Sequence, residues 1–194
     1  VSFDEHVLRF LVDHRAAPLD RLARVTMAAG LVRSLVAIEA VVVVVIVAGL
    51  RLWRVAFAAG AAVVAASLLA AAGKAAIGRP RPPWALALVH TSGSSMPSTN
   101  AAQVAAIATV AMCMLGTRWP RHRATIAGLC VVAVIWVDFC LAYLGTHWAT
   151  DVAVGTILGS GIGLFVVLGE QYVFRQWRQR AALSAEVPIS RIDA

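Results

Sequence analysis

Residues 74–82 read Lys74-Ala75-Ala76-Ile77-Gly78-Arg79-Pro80-Arg81-Pro82, and they close an Ala-, Val- and Leu-rich run that begins near residue 55. A lysine and two arginines around two helix-breaking prolines do not belong inside an apolar helix. They mark where a long helix reaches a membrane surface and the chain turns. Lys74 is the only lysine in the sequence, and alone it reads as a cation snorkelling from a helix end. Three cations held by a rigid turn make more than that. A point charge beside a guanidinium fork is a donor set suited to phosphate.

Composition agrees with a membrane. Of 194 residues, 60% are hydrophobic and 14% charged, with a mean hydropathy of +0.80, which excludes an ordinary soluble globule. Five stretches are long enough to cross a bilayer, roughly 32–50, 55–77, 98–116, 124–144 and 151–174, at about 20 apolar residues per crossing. Before them, residues 3–12 form an amphipathic helix too short and too charged to span. Pro18 interrupts it, and a second, weakly amphipathic piece follows over 19–30. The expected fold is therefore all-α: a polytopic membrane helix bundle of about five transmembrane helices plus an N-terminal amphipathic helix. Residues 1–180 form one domain, with 1–30 interfacial and 181–194 a polar, disordered tail. Gly155, Gly159 and Gly163 recur every fourth residue and offer a smooth face for close helix packing. Cys113, Cys130 and Cys140 lie in apolar runs without a C-x-x-C pair, as small buried residues do. The charged residues Asp4, Glu5, Arg9 and Asp13 argue against a signal peptide at the start.

The net charge of +7 comes almost wholly from arginine. The arginines fall between apolar runs, and no Gly-rich or aromatic-interleaved basic tract accompanies them, so nucleic acid is not the expected partner. Alternating spans put the ends near Lys74, Ser98 and His147 on one side. Arg51, Arg54, Arg118, Arg121, Arg123 and the basic tail fall on the other. The positive-inside rule makes that second side cytoplasmic, and the first, with the active site, extracytoplasmic. Arg9, Arg15, Arg21, Arg24 and Arg33 would lie on the outer side unless an N-terminal segment crosses.

Two more polar stretches share the first side. Pro97-Ser98-Thr99-Asn100 opens a span, where Ser98 or Thr99 caps free helix donors, and the same N–H groups and positive dipole end attract an anion. Tyr143-Leu144-Gly145-Thr146-His147-Trp148-Ala149-Thr150-Asp151 joins the last two spans. His147 and Asp151 are four apart, so a helical turn puts them on one face. One reading is an interfacial histidine with Asp151 capping a helix. The other is a carboxylate that takes the Nδ1 proton and leaves Nε2 free to attack an electrophile.

Together the three stretches resemble the type 2 phosphatidic acid phosphatase superfamily, which shares its site with vanadium haloperoxidases. Its pattern is K-x6-R-P, then P-S-G-H, then S-R-x5-H-x3-D. The first is present as Lys74 to Arg81-Pro82, the second at Pro97 and Ser98, and the third at His147 and Asp151 within a Y-L-G-x-H-W setting. The resemblance covers about residues 55–174. It implies that Lys74, Arg81, Ser98 and Thr99 bind phosphate, and that His147 is the nucleophile, oriented by Asp151. It also implies that no metal or other cofactor takes part. The implied partners are membrane lipids and a lipid phosphate or isoprenyl diphosphate substrate.

Two positions depart from that pattern. Asn100 stands where the family has its second histidine, and an amide cannot protonate a leaving alkoxide, a loss of about 10²–10⁴-fold. Cys140-Leu141 stands where the family has Ser-Arg, and no arginine occurs between Arg123 and Arg175. Arg79 could replace the charge, and His90, in the same-side loop, could supply a proton; as a plain loop residue His90 needs no such role. A diphosphate needs less acid assistance than a monoester. Arg79, His90, Asn100 and Asp138 are thus the supporting candidates. Asp138 is an acid within a span, expected to pair with an arginine or carry a proton, while Glu39 suits an interfacial place in the first span. The resulting reading is an integral membrane phosphatase working through a phosphohistidine. The alternative is a catalytically degenerate member that binds lipid phosphate or transfers phosphate to another acceptor.

Overall fold

The computed structural model describes residues 2–31, 47 and 49–185. The described chain forms six α-helices: α1 (Phe3–Asp13), α2 (Ala17–Leu31), α3 (Trp53–Ile77), α4 (Thr99–Arg118), α5 (Arg123–Tyr143) and α6 (Ala149–Ala185). Short 3₁₀ turns lie at Trp84–Leu86 and Pro120–His122. Four helical stretches are long and apolar enough to cross a membrane: Trp53–Ile77, Thr99–Arg118, Pro120–Tyr143 and Ala149–Ala181. They match the second to fifth expected spans. Most of the first expected span, with Glu39, lies outside the described residues, as does the tail from 186. Helix α6 continues through Ala185, so the segment read as tail from 181 begins as helix.

Small residues let the spans approach closely. Ala58, Ala62, Ala66 and Ala70 form a buried stripe on α3, of which Ala58, Ala62 and Ala66 pack with Ala102, Ala106 and Val110 of α4 and Ile162 and Val167 of α6. The expected glycine face is present on α6 and meets α4. A Cβ at Gly155 would lie 2.5 Å from the Ser98 carbonyl oxygen, one at Gly163 2.7 Å from that of Ala106, and one at Gly159 would overlap the Ala102 backbone. Apolar burial drives little association between helices in lipid, so this backbone-level fit does the work. Interhelical hydrogen bonds from Gln103 to Ser67 and from Thr156 to Asp138 add to it, at about 0.6 kcal/mol each. Phe57, Leu68, Val132, Ile135 and Phe165 point outward and exposed, where lipid tails cover them.

Helix α1 starts at a capping box, with Ser2 and Glu5 exchanging bonds between side chain and backbone. It packs against α5 and α6. Helix α2 runs antiparallel along α5, because Tyr143 donates to Asp20 and Trp136 donates to Thr26. Both N-terminal helices therefore brace the end of the bundle where Lys74, Ser98 and His147 meet.

Candidate active site

Helix α3 stops at Gly78, whose left-handed φ of 63° places its N–H 3.0 Å from the Lys74 carbonyl; glycine takes this conformation without steric cost. The Lys74 ammonium turns back into the loop and donates to the carbonyls of Ser94 and Ser95 at 2.9 and 3.1 Å. Arg81 donates through Nε to Ser92 and Gly93, and through Nη1 to the Thr146 carbonyl at 2.7 Å. The loop is pinned in turn by Ser95, whose N–H and hydroxyl both donate to the Arg79 carbonyl. Leu88 N–H also donates to Leu144 O at 2.8 Å. The turn at Gly145 has φ 69°, and a Cβ there would sit 2.9 Å from the Ala87 Cα. Two cations and the histidine turn are thus fixed by one network of loop carbonyls.

His147 is buried. Its Nε2 lies 3.3 Å from Arg81 Nη1, an arrangement in which a guanidinium donor faces an unprotonated ring nitrogen. Its Nδ1 lies 3.7 Å from Asp151 Oδ2, beyond hydrogen-bonding reach, so the carboxylate acts on the ring through charge. Asp151 is fully buried; Oδ2 accepts the Trp148 N–H at 3.0 Å, and Oδ1 accepts from Arg79 Nη1 at 2.6 Å. Asp151 thus satisfies a donor at the start of α6, and its carboxylate faces His147 without a hydrogen bond to Nδ1. Burial holds the His147 imidazole below the usual histidine range. The Asp151 carboxylate opposes that shift, while Arg81 and Lys74 reinforce it. At neutral pH the ring is uncharged.

Lys74, Arg81, Thr91, Thr99, Asn100 and His147 line one cavity of about 210 Å³, closed on other sides by Met27, Val89, Leu141 and Thr146. Ser98 stands behind this wall, fully buried, where its hydroxyl caps α4 by accepting the Ala101 N–H. The two departures from the sequence pattern, Asn100 and Leu141, both reach the cavity. Thr91 contributes a buried hydroxyl with no hydrogen-bond partner among the described residues.

Three supporting candidates are placed elsewhere. His90 stacks on Trp84, with centroids 4.8 Å apart, and its Nε2 lies 3.2 Å from the Trp84 carbonyl. It borders a neighbouring crevice behind Arg81 rather than the cavity of His147. Asp138 pairs with Thr156 at 2.7 Å, between α5 and α6, and no arginine reaches it among the described residues. Arg79 turns away from the cavity. Its Nη1 donates to Thr150 and Asp151, and its Nη2 donates to Asp4 Oδ2 at 2.5 Å. Asp4 also accepts the Thr150 N–H and hydroxyl at 3.0 and 2.6 Å. Sequence reasoning missed Asp4, assigning it to the polar side of an amphipathic helix. The available signal was chemical: a second arginine in a Pro-flanked turn needs a carboxylate, and acids are few in this chain. Among the described residues, no group of three or more His, Cys, Asp or Glu side chains is gathered for a metal ion.

A fold of membrane spans that gathers Lys74, Arg81, His147 and Asp151 in this way defines a class. The chain belongs to the PAP2 superfamily, whose family model matches residues 51–175. Among solved structures it is similar to a transmembrane PAP2-type phosphatidylglycerolphosphate phosphatase from Bacillus subtilis, at 25% identity and a TM-score of 0.70, covering 88% of this chain and 85% of that one. It also shares the fold of LpxE from Aquifex aeolicus, at 20% identity and a TM-score of 0.68, covering 86% of this chain and 96% of that one. No curated protein sequence matches it. It is an integral membrane protein.

Proposed function

We propose that the protein is a membrane lipid phosphatase that releases phosphate from a lipid phosphate or polyprenyl diphosphate through a phosphohistidine on His147. The observation that carries this reading is the 3.3 Å approach of Arg81 Nη1 to His147 Nε2 in a cavity that Lys74 also lines. Nucleophile and charge-neutralising donors address the same small volume. The similar phosphatidylglycerolphosphate phosphatase supports the substrate class.

In the first step the Nε2 lone pair forms an N–P bond while the P–O bond to the lipid breaks. Lys74 and Arg81 neutralise charge on the non-bridging oxygens. Nδ1 keeps its proton, and the Asp151 carboxylate balances the positive ring. The departing oxygen takes a proton from solvent. Water then attacks phosphorus, the N–P bond breaks, and inorganic phosphate and neutral His147 are restored.

The cavity walls favour a diphosphate substrate. Among the described lining residues, neither a carboxyl group nor a second imidazole stands ready to protonate an alkoxide. A diphosphate expels a phosphate monoester, a much weaker base. A second reading, a phosphate-binding protein without turnover, is favoured by Leu141, a fully buried leucine in the cavity wall where the family pattern has arginine. The arginines at the far ends of the spans support an extracytoplasmic site. At the site end, Arg15 donates to the Leu86 and Tyr143 carbonyls, so a structural task accounts for that arginine.

The test measures phosphate release from polyprenyl diphosphate, phosphatidic acid and phosphatidylglycerol phosphate by wild type and His147→Ala. Release above the variant, with an acid-labile phosphoryl adduct trapped on wild type alone, supports the phosphatase. No release above the variant on all three substrates leaves the binding protein.

A further inference from the structure

At the opposite end of the bundle lies a second basic cavity, of about 450 Å³, walled by Arg51, Arg54, Arg118, Thr117 and Gln171 over an apolar floor. It stands where α3 begins and α4 ends. Glu170, which also borders it, lies 19 residues beyond Asp151 on α6. At the helical rise this is about 28 Å from the His147 site, close to the thickness of a hydrocarbon core. The two cavities thus open at opposite membrane surfaces.

Arginines at this end also serve topology, but three features go further. Glu170 pairs with Arg54, and the Arg54 guanidinium lies over the Phe174 ring. Arg51 and Arg118 have no carboxylate partner among the described residues. Arg51 also holds a φ of 53°, a left-handed conformation that residues with side chains rarely take. Finally, an apolar cavity of about 580 Å³ shares Arg54 and Glu170 with the basic one and continues over Val173, Phe174 and Trp177. A cationic recess that shares its Arg54–Glu170 rim with an outward, apolar groove matches an amphiphile: an anionic head with an acyl chain beside it.

We propose that this recess binds the phosphodiester headgroup of an anionic phospholipid, with Arg51 and Arg118 on the phosphate and an acyl chain along Phe174 and Trp177. Such basic pockets between transmembrane helices suit lipid headgroups. The phosphate chemistry would equally attract free phosphate, but only a lipid uses the groove.

Purified full-length protein in detergent is titrated with phosphatidylglycerol, phosphatidylcholine and inorganic phosphate, and retained ligand is read by native mass spectrometry. Wild type should keep one phosphatidylglycerol in preference to phosphatidylcholine. The double variant R51Q/R118Q should lose about thirtyfold in affinity, the weight of two arginine contacts with lipid. R121Q/R123Q, on the same surface outside the cavity, should bind as wild type. K74Q, which weakens the His147 site, should keep this lipid. Loss in R121Q/R123Q equal to that in R51Q/R118Q means diffuse attraction and overturns the proposal. So does equal retention of the two lipids, or full displacement of phosphatidylglycerol by inorganic phosphate. Single R118Q, at a helix end, serves where the double variant fails to fold, and unchanged affinity there also overturns it.

Discussion

Arg79 Nη1 donates to Asp151 Oδ1 at 2.6 Å, and this bond fixes the carboxylate that faces His147. The other terminal nitrogen of Arg79 holds Asp4, so helix α1 sets the position of a residue at the start of α6. Asp4→Ala should lower stability by about 1–3 kcal/mol, the loss of a charged hydrogen-bond acceptor. It should lower kcat about tenfold with little change in KM, since Lys74 and Arg81 keep their loop partners. Thermal unfolding in detergent and phosphate-release kinetics check both. Burial raises the Asp4 carboxyl, but hydrogen bonds from Thr150 and Arg79 outweigh it and hold the group below the usual carboxylate range. The stabilisation is therefore complete above about pH 4 and lost as pH falls through that lowered value.

In the proposed mechanism His147 must be neutral to attack, and burial holds its pKa below the ordinary histidine value of about 6.5. The acid limb of kcat/KM should thus fall below that pH, with activity rising through it as pH increases. Arg81 helps hold the value down. In Arg81→Gln the residual activity should show its acid limb displaced to higher pH, measured as a full pH profile rather than at one pH.

Asn100 lines the cavity where the family places an acid. Asn100→His should raise hydrolysis of a lipid phosphate monoester by about a hundredfold and leave a diphosphate substrate nearly unaffected. The split between the two substrates is the measurement. His90→Ala, beside the Trp84 ring and outside the cavity, should change neither.

Gly159 and Gly161 sit two residues apart on α6 with opposite expectations. A Cβ at Gly159 overlaps the Ala102 backbone, whereas one at Gly161 meets nothing within 4 Å. Gly159→Ala should force α4 and α6 apart and abolish a monodisperse, folded protein. Gly161→Ala should hold or gain about 0.5–1 kcal/mol from helix propensity. Size-exclusion profiles and melting temperatures separate the two.

Periodicity and hydropathy made the spans legible, and the boundaries of α3 through α5 fall within two residues of the expected ones. The grouping of Lys74, Arg81, Thr99, Asn100 and His147 was legible because alternating spans bring those helix ends to one side. Arg79 and Asp4 were not, because their bond joins positions 75 residues apart and leaves no periodic trace. His90 looked like a proton source by side and type alone. Its stacking on Trp84 depends on the loop's path between Pro83 and Gly93, which no local pattern encodes.

The Asp4 contacts also bear on how the protein is made. Asp4 bonds Thr150 across 146 positions, so it leaves the ribosome long before its partners. Until Thr150 is present, the Asp4 carboxylate lacks the N–H and hydroxyl donors it has in the folded chain. A chain that stops before Thr150 lacks both the Thr150 donor to Asp4 and the Asp151 acceptor of Arg79, so it cannot form the lock between α1 and α6.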